Sequence, residues 1–277
     1  MKINEIYLNG SRWYRVEHGQ YSEDLPSVNT ILTTTESAEN KKRLANWKHK
    51  QAQKFFNANR TCLNCLHLKS EITSKTLSLV HRECGAGEKL RSPLTKKHRC
   101  KSFVLNAEME AAKSQHGSKA RDRGSKVHEH IQDWFLQGIL PTPKLCKYSS
   151  QIVHLLKNLK DGKLLVEEPV FSKEHGYCGR VDFCGEYLDQ VVVADWVTTD
   201  RNYLQRENFE RKFLQCAGYA LAIAEMKLTI PTEIIVVAMT PDRAELYREP
   251  LDKWTELWLK RVEQFWEMQP LDDEANF

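Results

Sequence analysis

A chain of 277 residues can hold one large domain, or one domain carrying a substantial insertion. With 41% hydrophobic and 28% charged residues most of it should fold, and a formal net charge of +4 selects no partner by itself. No run of about 18 apolar residues occurs and MKINEIYLNG has no apolar signal region, which predicts a cytoplasmic, non-secreted protein without a membrane span.

Residues 5–18 alternate apolar and polar around Asn9-Gly10, the signature of a short hairpin. PSVNTIL (26–32) follows, then a helix over about 37–57 with Ser37 as its N-cap. Residues 60–101 change character: ten Lys or Arg stand against three Glu, and four of the eight cysteines fall here. That local excess is larger than the charge of the whole chain, so the stretch reads as a basic inserted module. A helix over about 103–137, loosened near His116-Gly117, precedes another over about 147–160. Three consecutive strands are expected at 164–171, 179–187 and 191–197. A helix over about 207–226, strands at 234–239 and 245–248, and a helix over 251–267 complete the chain. This divides the sequence into an N-terminal part (1–57), a cysteine-rich insertion (58–104) and a main α/β body (105–277).

The segment GRVDFCGEYLDQVVVADW suggests a hairpin turning at Leu188-Asp189. A symmetric turn sets Asp182 opposite Asp195, and opposed residues have Cβ atoms about 4.5–5.5 Å apart on one face. Two carboxylates that close repel, and a divalent cation between them removes the penalty; hard oxygen ligands suit Mg²⁺ or Mn²⁺. Read singly, each is equally an ordinary strand-end acid, solvated or salt-bridged. His128, near Val127, Ile131 and Trp134, reads alone as a core histidine. Gln215 and Tyr219, four apart on a helix face, read alone as packing residues.

Taken together, RGSKVHEHI (123–131), VEEPV (166–170), GYCGRVDF (176–183), VVVADW (191–196) and QCAGY (215–219) resemble, in order and spacing, RecB-like nucleases of the PD-(D/E)XK superfamily. PSVNTIL followed by LANWKHK (44–50), and IIVVAMTPDRAELY (234–247), are similar to the mitochondrial genome maintenance exonucleases and their bacterial and phage relatives. The likeness covers most of the chain except about 58–104. It implies a central mixed sheet flanked by helices, and metal-dependent hydrolysis of DNA, favouring single-stranded ends, in replication, recombination or repair. It implies His128, Asp182, Asp195 and the main-chain carbonyl of Trp196 as metal ligands, with Glu167, Gln215 and Tyr219 as further catalytic-site residues.

The lysine expected two residues after Asp195 is Val197. Positioned proton-transfer groups contribute about 10²–10⁴-fold, so this departure leaves activity open. Val197 could be an engineered substitution, could mark a natural DNA-binding pseudo-nuclease, or could be offset by a cation from elsewhere. Lys212 shares a helix face with Gln215 and Tyr219 and is the candidate; read alone it is a solvated surface lysine.

Cys62-x-x-Cys65, Cys84 and Cys100 could close a tetrahedral Zn²⁺ site, with His67, His81 and His98 as substitutes; an iron–sulfur cluster and bare thiols are the other readings. Cys146, Cys178, Cys184 and Cys216 are scattered and read as core or incidental. The basic module could grip a phosphate backbone or contact a replication or recombination protein. Lys48, Arg121, Arg123, Lys126 and Arg180 are candidate nucleic-acid contacts, and Trp47, Phe55 and Phe56 could stack on bases.

Overall fold

The computed structural model describes residues 1–72, 80–90, 93–97, 100–159, 162–200 and 204–269. Local turn chemistry sets the first sheet. Asn9 and Gly10 both adopt positive φ (49° and 77°), as a two-residue hairpin turn requires, and join β1 (Lys2–Leu8) to β2 (Ser11–His18). A third strand, β3 (Tyr21–Pro26), pairs antiparallel with β2. Ser27 then caps α1 (Val28–Thr34), its Oγ accepting from the Thr30 amide at 3.0 Å. Ser37 caps α2 (Ala38–Ala58) in the same way through Asn40, as its sequence position predicts.

A two-stranded hairpin, β4 (Leu68–Ile72) and β5 (Val80–Cys84), follows α2. Helix α3 (Ala107–Gln137) is unbroken through Gly117, where a loosening was expected. A 3₁₀ turn (Ser149–Ile152) leads into α4 (Val153–Leu159). The main sheet takes β6 (Lys163–Ser172), β7 (Tyr177–Tyr187), β8 (Gln190–Thr198), β9 (Glu233–Met239) and β10 (Ala244–Pro250). Helix α5 (Glu210–Glu225) connects β8 to β9, and α6 (Leu251–Glu267) follows β10.

Two compact units result, Met1–Glu36 with Arg123–Phe277, and Ser37–Asp122. The second is wider than the expected 58–104 insertion, because α2 and the first half of α3 belong to it. None of the residues of α2 is buried.

In the larger unit the strand order is β10-β9-β8-β7-β6, with β8 and β9 parallel and every other pair antiparallel, a mixed α/β sheet. The run VVADW (192–196) of β8 is buried on both faces, as a central strand must be. Val193, Val236, Phe213 and Trp258 belong to the core on one side; Val192, Trp196, Ile235 and Phe135 belong to the core on the other. At β6 and β7 this two-sidedness shifts. Val181 packs in the first core but Phe183 in the second, and Val170 in the first but Val166 in the second. Residues two apart on a regular strand share a face, so both strands twist between these pairs, at Asp182 and Glu167. No helix among the described residues is long and apolar enough to cross a membrane.

Candidate metal centre

The turn at Leu188-Asp189 has φ values of 51° and 63°, and the register runs from Tyr187↔Gln190 to Phe183↔Ala194. The paired residues stop there, one step short of Asp182 and Asp195. On the other side, Val166↔Phe183 and Glu168↔Val181 bracket Glu167 opposite Asp182. Three adjacent strands therefore each carry one acid beside the last paired residues, Glu167 on β6, Asp182 on β7 and Asp195 on β8. Glu167 has φ 52°, a left-handed conformation that costs a non-glycine residue about 1–3 kcal/mol and clusters at functional sites. Arg180 braces it, its Nη1 donating to the Glu167 carbonyl at 2.9 Å.

His128 of α3 completes the group. Its neighbours Val127 and Ile131 are buried in the second core, which orients the helix and leaves the imidazole facing the acids. Nδ1 lies 3.0 Å from Glu167 Oε1 and 3.5 Å from Asp182 Oδ2; Nε2 lies 3.1 Å from the Trp196 carbonyl. His128, Glu167 and Asp182 offer one ligand atom each, all within 4.8 Å of one another, so this group can hold a metal ion. A carbonyl partner on the second ring nitrogen is the usual way a ligating histidine is oriented.

Asp195, expected beside Asp182 in the ligand set, stands outside that trio; Glu167 takes its place. Asp195 is paired with Lys212. Its Nζ lies 3.0 Å from both oxygens of the almost fully buried Asp195 carboxylate, with hydrogen-bond geometry only to Oδ2, and 3.2 Å from Gln215 Oε1. Asp195 Oδ1 is left buried without a hydrogen bond. Lys212 is thus part of the site and not a solvated surface residue. Gln215 Nε2 donates to Tyr219 Oη at 2.8 Å, so the Gln-xxx-Tyr pair forms a short chain that fixes the lysine amine. Trp196 sends its side chain into the opposite core, while its amide donates to Asp182 Oδ2 at 3.2 Å. Val197 packs against the α5 side and brings no polar group.

The charges respond accordingly. Burial, then the neighbouring Asp195 carboxylate, raises the Asp182 carboxyl well above the usual carboxylate range. Burial alone would depress His128, but the carboxylates of Asp182, Glu167 and Asp195 outweigh it and lift the imidazole to about 9. Lys212 likewise overcomes its burial through Asp195 and Asp182 and stays protonated. Tyr219 is pushed up by burial and by both aspartates, so it remains a neutral phenol.

Tyr219 rests on Gly179 of β7, where an added Cβ would meet the ring Cδ1 at 3.0 Å and Val28 Cγ2 at 3.3 Å. Gly179→Ala is therefore expected to cost about 1–3 kcal/mol of stability. It should also disturb the Gln215–Lys212 chain. Denaturant unfolding of the variant checks the first effect, and no shift in midpoint would show that Tyr219 can move freely.

The nucleic-acid candidates separate. Arg123 is engaged by Asp200 (2.6 Å) and Tyr148 Oη (3.2 Å), and lies over the Tyr148 ring. Arg180 is occupied by Glu167, whereas Lys48, Arg121 and Lys126 are exposed. The clasp on Arg123 was not foreseen from sequence, because Tyr148 and Asp200 are distant in the chain.

Cys62, Cys65, Cys84 and Cys100 all line one cavity of about 20 Å³ in the second unit, although their sulphurs do not meet the 4.8 Å spacing of the acidic trio. None of the eight cysteines is in a disulfide; Cys178, Cys184 and Cys216 are buried in the larger unit. The side chain of His81 and the whole of His98 lie outside what is described.

No protein-family profile matches the chain, and no curated protein matches it. Among solved structures, that of SSO0001 matches with a TM-score of 0.34 and 17% identity, over 59% of this chain and 67% of its own. A likeness that loose carries no argument about fold or activity.

Proposed function

We propose that this chain is a divalent-cation-dependent nuclease of PD-(D/E)XK architecture that hydrolyses phosphodiester bonds in DNA. The observation that carries the reading is the meeting of His128, Glu167 and Asp182 within 4.8 Å, beside an Asp195 whose partner is a lysine. The donors suit Mg²⁺ or Mn²⁺: two carboxylates, Glu167 and Asp182, supply hard oxygen ligands and one imidazole joins them. A cation bound there would supply Lewis acidity and a water of lowered pKa. Around it, Glu167 and Asp182 hold the charge, and the Trp196 carbonyl orients His128. Lys212, aligned by Gln215 and Tyr219, offers a cation for the attacking water or the phosphate oxygens. In this reading Lys212 supplies from α5 what Val197 cannot supply from β8. The preference for single-stranded ends rests on the sequence resemblance alone.

Incubating 5′- and 3′-labelled single-stranded DNA with Mn²⁺ or Mg²⁺ tests it. Cleavage is expected from the wild type and not from Asp182→Asn. Val197 also supports a second reading, a DNA-binding protein that keeps the fold without cutting. Salt-sensitive binding with no cleavage under either cation would favour that reading and reject the enzyme.

A further inference from the structure

The described residues of the 37–122 unit bury few apolar side chains. Its buried apolar side chains, among the described residues, are Cys62, Cys65, Phe103 and Leu105, with Phe55, Phe56 and Met109 only partly covered beside them. Helix α2 buries none of its residues. A unit so poor in buried apolar surface ordinarily needs a staple, a disulfide or a metal, to be stable. A disulfide is absent.

The backbone instead carries four thiols to the lining of one cavity from three stretches of chain, their sulphurs still further apart than a closed metal site would hold them. Cys62 and Cys65 sit on a turn closed by the Cys65 amide donating to the Cys62 carbonyl at 3.2 Å. Strand β4 leads away from that turn and β5 returns to it, pairing Cys84 with Leu68. A second turn closes directly after Cys84, with the Gly87 amide on its carbonyl at 2.9 Å. The third stretch runs beside the first: Cys65 bridges Leu105, and the Leu66 amide donates to the Val104 carbonyl at 2.8 Å. Arg60 holds the Cys100 carbonyl. The resulting cavity of about 20 Å³ has room for one ion-sized sphere and is walled by Leu68 and Phe103.

We infer that Cys62, Cys65, Cys84 and Cys100 bind a single soft divalent cation, zinc by preference, which holds the 37–122 unit together in place of a hydrophobic core. Four thiolates match the closed tetrahedral sites in which zinc stabilises small folds. Four thiolates on one divalent ion leave two negative charges, and residues 60–101, with ten Lys or Arg against three Glu, offset them. At the cavity itself Lys89 and Glu88 stand together, so the offset comes from the wider segment. This site is independent of the acidic centre in the other unit and stands or falls apart from the nuclease reading.

Elemental analysis of the full chain, dialysed against metal-free buffer, is expected to find about one zinc per chain. Cys62→Ser and Cys84→Ser should each lose it, and Asp182→Asn should keep it. Should a serine variant not fold, a mercurial titration of the wild type gives the same information. Zinc should be released as the thiols react, and protease should then cut within 37–122 while 123–269 stays protected. The inference is overturned by a chain without zinc, by iron with inorganic sulfide in its place, or by zinc lost in Asp182→Asn but retained in the cysteine variants. It is equally overturned if zinc release leaves the proteolytic pattern unchanged.

Discussion

Lys212→Ala is expected to lower DNA cleavage by about 10²–10⁴-fold, the usual worth of a positioned proton-transfer group. The same change leaves the buried Asp195 without its ion-pair partner, since Lys212 Nζ lies 3.0 Å from it. Breaking a buried pair from one side costs about 3–5 kcal/mol, so a drop in activity alone could reflect unfolding. The double variant Val197→Lys/Lys212→Ala separates the two causes. Positions 195 and 197 share a face of β8, so a lysine at 197 reaches the same carboxylate from the strand. Both the melting temperature and the cleavage rate should recover in the double variant. Val197→Lys alone should gain little, because the place of the amine is already filled. If the wild type were inert and Val197→Lys alone switched cleavage on, Lys212 would be structural only. Undiminished cleavage by Lys212→Ala would remove it from the mechanism altogether.

That substitution pair was suggested by the sequence only in outline, for physical reasons. The β7–β8 register as far as Phe183↔Ala194 is legible because a two-residue turn at Leu188-Asp189 determines the pairings that follow, and the turn is where expected. The order and type of the main strands and helices were readable from runs such as VVVAD and from alternation. Strand β3 was not, because YSEDLP begins with polar, exposed residues, and what ties it to β2 besides the backbone ladder, the Arg15–Asp24 ion pair and the buried Leu25, depends on the pairing itself. Which acid joins His128 was not legible either. It depends on Glu167 adopting φ 52°, a conformation that no local residue preference announces and that Arg180 supports from the neighbouring strand. Lys212 could be placed on the right helix face from its spacing with Gln215. Its contact with Asp195 depends on how closely α5 packs on β8, which periodicity does not encode. The outer limits of the second unit were missed because α2 has a strong cap and helical composition but no buried face to reveal which unit it serves.

Without a divalent cation, stability should fall as pH rises from about 6.5 to about 9, and Mg²⁺ should flatten or reverse that slope. The sign follows from His128. Its imidazole, ordinarily at 6.5, is held at about 9 by the surrounding carboxylates against the opposing effect of burial. The folded state therefore binds this proton more tightly than the unfolded chain. The resulting stabilisation is complete below about pH 6.5 and is lost as pH climbs through about 9. At 1.36 kcal/mol per unit the gap is worth about 3 kcal/mol at most, less for the part of the ring that meets solvent. Asp182 acts in the same sense at lower pH, since its raised pKa means that ionising it disfavours the fold. A bound cation needs the neutral imidazole and the ionised acids, so its stabilisation grows as those protons leave. Denaturant midpoints at pH 6.5, 7.5 and 9, with and without Mg²⁺ and free of strong chelators that would also attack a zinc site, measure both slopes. Asp182→Asn should shrink the metal-free slope and abolish the Mg²⁺ effect together, because one carboxylate serves both. Parallel slopes with and without Mg²⁺ would mean that the cation does not bind among His128, Glu167 and Asp182.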